Sequence, residues 1–139
     1  MQIKQSFLTL EVKNQILEAL KLHSLQAIGI NGLSEDPVLF EIYEKNQLLG
    51  CIVVQIFWGA LHIKLLFVHE NNRGKGIGTQ LMTCAFEFGK KQGCSFVFVE
   101  TMSFQAPEFY QKFGFKIDFI RPGYTKETSF YYLSKKLDF

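Results

Sequence analysis

Hydrophobic residues change their spacing along this chain, and each change marks a new element. Leu10, Ile16, Leu17, Leu20 and Leu25 recur at helical intervals, and Thr9 before them offers an N-cap hydroxyl. Gly29 and Gly32 punctuate a loop that ends near Pro37. From Val38 the pattern predicts strands: Val38–Glu44, a turn at Lys45-Asn46-Gln47, Leu48–Phe57, a turn at Trp58-Gly59, then Leu61–Val68. The last of these is apolar on both faces, as a strand in the middle of a sheet would be.

A polar loop, Glu70–Arg73, leads through glycines into a second helix. Its Ile77, Leu81, Cys84, Ala85 and Phe88 predict one buried stripe, and Gly93 ends it. Phe96–Val99 reads as a fully apolar strand. Gln105–Phe113 reads as a short helix with Pro107 in its first turn and Gly114 as its stop. Phe115–Ile120 and Thr128–Lys136 are the final strands, joined around Pro122-Gly123. This order of elements predicts an α/β domain built on one mixed sheet.

Composition narrows the class. A length of 139 residues suits a single domain spanning 1–139. Fifteen residues are phenylalanine, eleven of them from Phe86 onward, so rings are expected to fill much of the core there. A mean hydropathy of +0.07 excludes a disordered chain. No apolar run reaches the roughly 18–20 residues of a membrane span, and the first ten residues lack the apolar block of a signal peptide. A cytoplasmic protein without a membrane partner is therefore expected. Fifteen basic residues offset by thirteen acids leave a net charge of +2, so no nucleic-acid partner is expected either. Cys51, Cys84 and Cys94 are odd in number and contain no C-x-x-C pair, which disfavours a disulfide framework and a metal site. They are expected to be ordinary buried thiols.

The segment Arg73-Gly74-Lys75-Gly76-Ile77-Gly78, with Thr79, carries the clearest chemistry. It joins a buried strand to an amphipathic helix, where the first helical N–H groups lack internal partners and the helix dipole favours an anion. Glycines let the backbone approach oxygen atoms closely, and Arg73 and Lys75 add charge-assisted contacts. A phosphate or pyrophosphate fits. Gly76 after Lys75 breaks the Walker A pattern, and Thr79 occupies the third glycine position of a dinucleotide fingerprint.

The strand Leu65-Leu66-Phe67-Val68 followed by Arg73-x-x-Gly76-x-Gly78 resembles the acyl-CoA motif of the GNAT superfamily of N-acetyltransferases. A second signature of that family follows, Ala106-x-x-Phe109-Tyr110-x-x-Phe113-Gly114-Phe115, and the order of elements agrees over nearly the whole chain. The resemblance implies a GNAT-type, mostly antiparallel sheet with helices on both faces. It also implies a splay between the family's fourth strand, here carrying Phe67 and Val68, and its fifth, here ending at Glu100. Acetyl-CoA is the implied cosubstrate, with no metal. Its pyrophosphate would lie on Arg73, Gly74, Lys75, Gly76, Ile77, Gly78 and Thr79, and its pantetheine arm along Phe67 and Val68. Phe109 would flank the slot. Ser103 stands where many members have an asparagine that touches CoA.

Acyl transfer to an amine needs a neutral nucleophile, a stabilised oxyanion and a proton for the leaving thiolate. By resemblance Tyr110 is the general acid and the Val68 N–H the oxyanion donor. His62 and Glu100 are the candidate bases, with solvent as the alternative; His62 sits where histone-modifying relatives carry a catalytic glutamate. His69 and Glu70 would shape the loop. The first helix, Trp58, His62 and Tyr124 would wall the acceptor site. The implied reaction is direct acetyl transfer to a primary amine, of a small molecule or a peptide, within a ternary complex. The alternative is a non-catalytic acyl-CoA-binding regulatory domain of the same fold. Pairing of the last strands between two copies would give a homodimer.

Overall fold

Two-residue turns set the register of the first half of the sheet. Lys45 and Asn46 have φ of 49° and 64°, and Trp58 and Gly59 have φ of 47° and 83°. Two successive left-handed residues match the twist of the strands they join, so each turn closes a hairpin tightly. Glu44 thus opposes Gln47, and Phe57 opposes Ala60. The computed structural model describes residues 1–33 and 36–137. The expected loop between Gly32 and Pro37 lies partly outside them.

The chain divides into two compact units, Met1–Gly32 and Leu33–Phe139. The first holds helix α1 (Leu10–Ile28), whose Thr9 hydroxyl accepts from the Val12 N–H at 3.2 Å. Gly29 closes it in the left-handed conformation. The second unit holds β1 (Val38–Glu44), β2 (Gln47–Phe57), β3 (Ala60–Val68), α2 (Ile77–Lys91), β4 (Phe96–Met102), α3 (Pro107–Gln111), β5 (Lys116–Tyr124) and β6 (Thr128–Lys136). One six-stranded sheet runs β1-β2-β3-β4-β6-β5. Only β3 and β4 are parallel; every other neighbouring pair is antiparallel.

Three elements differ from the sequence expectation. Helix α3 is confined to Pro107–Gln111 rather than Gln105–Phe113, because Ala106 at its N-cap is left-handed and the chain turns off after Gln111. Strand β4 continues past Val99 to Met102. Strand β5 runs through Pro122-Gly123, and the chain reverses instead at Thr125–Glu127, where Lys126 and Glu127 have positive φ. β5 is an edge strand, where a proline that cannot donate to the ladder is tolerated. A register shift between Arg121 and Tyr124 absorbs the dipeptide.

Alternation sorts the sheet into two faces. Ile52, Val54, Leu61, Ile63, Val97, Val99 and Leu133 are buried in one cluster with Leu81, Met82 and Ala85 of α2 and Tyr110 of α3. The centre of the α2 stripe falls between Leu81 and Met82, which leaves Cys84 roughly 90–100° off it. Cys84 is accordingly exposed, not a buried thiol; Cys51 is half-buried and Cys94 buried. Phenylalanines fill this core less than composition suggested. Among the described residues only Phe98 and Phe115 of the phenylalanines are buried, while Phe57, Phe67, Phe104 and Phe119 are exposed. On the opposite face His62, Phe98, Tyr132 and Phe119 form a stacked ladder across four strands, with successive ring centroids 4.5, 5.5 and 5.2 Å apart.

Gly50 of β2 lies where β3 and α2 come closest. A Cβ there would stand 2.7 Å from the Phe67 carbonyl oxygen and 2.9 Å from Ile77 Cγ2. The first of these is backbone and cannot swing aside. Gly50→Ala is expected to cost about 1–3 kcal/mol and to lower Tm by about 3–10 °C in a thermal melt.

Candidate active site

Parallel pairing of β3 with β4 lasts four residue pairs, from Ala60–Phe96 to Ile63–Val99. Both strands continue beyond it, β3 to Val68 and β4 to Met102, so the sheet opens into a fork. The edge of β3 inside the fork is polar. The His69 N–H donates to the Leu49 carbonyl at 2.8 Å, and Val68 opposes Gly50. Backbone groups of successive residues in an antiparallel ladder point to opposite edges, so those of Leu66 and Val68 face away from β2, into the gap. The Val68 carbonyl accepts from Arg73 Nε there at 3.4 Å, while no residue of β4 pairs with this stretch.

Helix α2 begins beside this edge. Gly76 is its N-cap at φ 81°, and no side chain caps the helix. Gly74 has φ 78°. An L-residue with a Cβ would be strained by about 1–2 kcal/mol in such a conformation. The turn therefore needs glycine, and it leaves the first N–H groups of a fifteen-residue helix open to an anion. His69 braces the preceding turn, its Nδ1 accepting from the Asn71 N–H at 3.4 Å.

A cavity of about 870 Å³ connects these features. It is lined by Leu66, Phe67 and Val68 of β3, by Arg73, Gly74, Gly76, Ile77, Gly78 and Thr79 of the loop and helix, and by Phe109 and Tyr110 of α3. Helix α3 is held by Lys135, whose Nζ donates to the Phe113 carbonyl and lies 4.9 Å from the Phe86 ring centroid. Ala106, at the N-cap of α3, has φ 56° and ψ 66°. That is a left-handed residue without glycine's freedom, strained at the cavity wall. Tyr110 is only 9% exposed, packed against Phe109 and Phe115. Burial pushes its phenol above the ordinary 10.0, so at neutral pH it holds a proton it can give.

The opposite face of the sheet carries the second group. His62 Nε2 lies 3.0 Å from Glu100 Oε1, and the imidazole stacks on Phe98. His62 belongs to the last two pairs before the fork, and Glu100 is the first residue beyond it on β4. A carboxylate only accepts, so Nε2 carries the imidazole proton and Nδ1 is left as the basic nitrogen. Burial lowers the His62 pKa from 6.5 and Lys64 lowers it further, against the opposing pull of Glu100. The ring is then neutral near pH 7 and able to accept a proton.

The residues singled out from sequence thus fall into two groups. The loop, Phe67, Val68, Phe109 and Tyr110 share one cavity; His62 and Glu100 form a pair on the other face and do not line it. Lys75 does not line it either. Ser103 is turned to β6, its Oγ accepting from the Ser129 N–H at 3.0 Å and its own N–H donating to the Ser129 carbonyl at 2.8 Å. Leu66, Phe104 and Gln105 also line the cavity without having been assigned a role from sequence. Leu66 was legible from strand alternation alone; the other two needed the path of the loop before α3. Among the described residues no cluster of three or more His, Cys, Asp or Glu side chains is placed to hold a metal ion.

Comparison with known proteins agrees with this geometry. Residues 35–117 match the family model described as an acetyltransferase (GNAT) domain. The blasticidin-S acetyltransferase of Streptomyces morookaense is 36% identical over 120 residues, covering 78% of this chain and 88% of that enzyme. A crystal structure from Agrobacterium tumefaciens, assigned to the acetyltransferases, superposes with a TM-score of 0.83 at 26% identity over 98% of each chain. A Bacillus anthracis structure solved in complex with acetyl coenzyme A shares the fold, with a TM-score of 0.67 at 22% identity over 74% of this chain and 64% of that one.

The uncapped helix makes a direct prediction. Pyrophosphate added to the isotopically labelled protein should shift the amide resonances of Gly76 to Thr79 most strongly. Gly76→Ala and Arg73→Ala should each weaken that binding by about three- to tenfold.

Proposed function

Because the chain belongs to the GNAT acetyltransferase family, and is an acyltransferase, we propose that it moves an acetyl group from acetyl-CoA to a primary amine by direct transfer in a ternary complex. The observation that carries this reading is the single cavity running from the uncapped α2 N-terminus along the open β3 edge to Tyr110. An anionic head, a thin amide-bearing arm and a reactive end, in that order, are what CoA thioesters offer. The similarity to an enzyme named for blasticidin S favours a small-molecule amine over a protein lysine.

The bound thioester would supply the acetyl carbon; the chain's own groups do the rest. Arg73 and the first N–H groups of α2 hold the pyrophosphate. The backbone groups of Leu66 and Val68 receive the pantetheine arm as an added strand, and the Val68 N–H faces the developing oxyanion. On the other face Nδ1 of His62 takes a proton from the acceptor amine, and Glu100 orients the imidazole. The neutral amine then forms the new C–N bond as the C–S bond breaks. Tyr110 gives its phenolic proton to the departing thiolate, and the second proton shed by the newly acylated nitrogen returns through solvent to restore the phenol. The two proton-handling groups thus stand on opposite faces of one fork, so donor and acceptor can enter without crossing.

The test is a panel of amines assayed for free thiol release from acetyl-CoA. At least one amine should turn over. Tyr110→Phe should lower kcat by about 10²-fold or more, with CoA affinity retained. CoA binding with no turnover of any amine would leave the non-catalytic acyl-CoA-binding domain as the reading. The pH profile carries its own sign. Protonated His62 cannot act as base, so activity should fall on the acid side with a midpoint below 6.5. Ionised Tyr110 cannot act as acid, so an alkaline fall should lie above 10.0 and should vanish in Tyr110→Phe. His62→Gln should remove the acid-side fall along with most of the rate; an unchanged acid limb would assign the base to solvent.

A further inference from the structure

The loop between β4 and α3 holds one polar side chain on the cavity wall that none of these roles uses. Gln105 donates its backbone N–H to the Met102 carbonyl at 2.9 Å, and its side chain folds back so that Oε1 accepts from the Met102 N–H at 3.0 Å. A backbone N–H can only donate, so the carboxamide oxygen must face Met102 and the amide NH2 must point the other way. Among the described residues no protein group accepts from that NH2. Gln105 is exposed and lines the large cavity beside Phe104, Ala106 and Phe109.

The loop around it is pinned on both sides. Ser103, two residues earlier, exchanges two hydrogen bonds with Ser129 of β6. Pro107, two residues later, starts α3 and is buried. The carboxamide is thus held in direction before any ligand arrives, which limits the ordering cost of a new hydrogen bond. Across the fork, the β3 edge presents the backbone groups of Leu66 and Val68. The β4 side has spent its nearest N–H, that of Met102, on Gln105. The side-chain NH2 is left as an unused donor on a residue that lines the cavity.

Resting on the acetyl-CoA reading above, we infer that Gln105 is a cosubstrate-binding residue whose NH2 donates to an amide carbonyl of the pantetheine arm. The arm then lies between backbone groups of β3 and the carboxamide on the β4 side, which fixes its depth in the fork. Ser103 does not line the cavity, and its Oγ accepts from the Ser129 N–H of β6.

Calorimetric titration with two ligands separates this role from a structural one. CoA carries the arm; adenosine 3′,5′-bisphosphate carries only the nucleotide end. Gln105→Glu keeps an acceptor for the Met102 N–H but places an oxygen where the donor was. Gln105→Met removes donor and acceptor without adding charge. Both variants should bind CoA more weakly than the unaltered protein, by about three- to tenfold for Met and tenfold or more for Glu. Binding of the bisphosphate should change less than twofold in either. Unchanged CoA affinity in both variants would overturn the assignment, as would an equal loss for the two ligands. An unaltered protein that bound neither ligand would overturn the cosubstrate reading itself, a result visible before any substitution is made.

Discussion

The site depends on a hydrogen-bond ladder that stops. After Ile63 and Val99 the parallel strands β3 and β4 part, although each continues for several residues. Exposed strand edges invite pairing, and proteins ordinarily cover them. Here the edge of β3 is left facing a cavity, with the α2 N-terminus at one end and Tyr110 along its wall. Two kinds of unpaired backbone group, the strand edge and the helix end, therefore point into the same space. Each would cost stability if buried without a partner, and the ligand proposed above, with its anionic head and amide-bearing arm, would satisfy both.

Holding that gap open falls to the packing around it. Gly50 lets α2 close onto β2 and β3 from one side. Lys135 ties the end of α3 to the α2 ring Phe86 on the other. The core between them is mostly aliphatic, with Ile52, Leu61, Ile63, Leu81, Met82 and Leu133 fully buried. Rings are spent instead around α3 and on the opposite face, where the His62–Phe98–Tyr132–Phe119 ladder fixes the imidazole beside Glu100. Stacking on Phe98 and the contact with Glu100 together hold the imidazole in one orientation.

Much of this was legible in the sequence, and the reasons differ by element. The hairpins at Lys45-Asn46 and Trp58-Gly59 and the cap at Thr9 follow from local chemistry, which sequence reports directly. The glycine turn that opens α2 was legible for the same reason: glycine spacing at a strand-to-helix junction is a local signal. Pro122-Gly123 misled, since a proline within a strand reads as a turn unless one knows that the strand is an edge. His62 and Glu100 were separate candidates in the sequence; only the parallel register brings them to 3.0 Å. Ser103 and Gln105 show the same limit at the scale of a loop. Which of two polar residues faces the cavity is set by where Ser129 and Met102 lie, and those contacts are not local.

A crystal structure of the protein with CoA bound would show whether the open ladder and the uncapped helix receive one ligand. Pyrophosphate oxygens should lie on the amides that open α2, and the pantetheine arm should lie in the fork, bonded to the backbone of Leu66 and Val68. The sulfur should then sit within reach of the Tyr110 hydroxyl. CoA bound elsewhere, or a β3 and β4 zipped together past Ile63 and Val99 with the cavity closed, would contradict that placement.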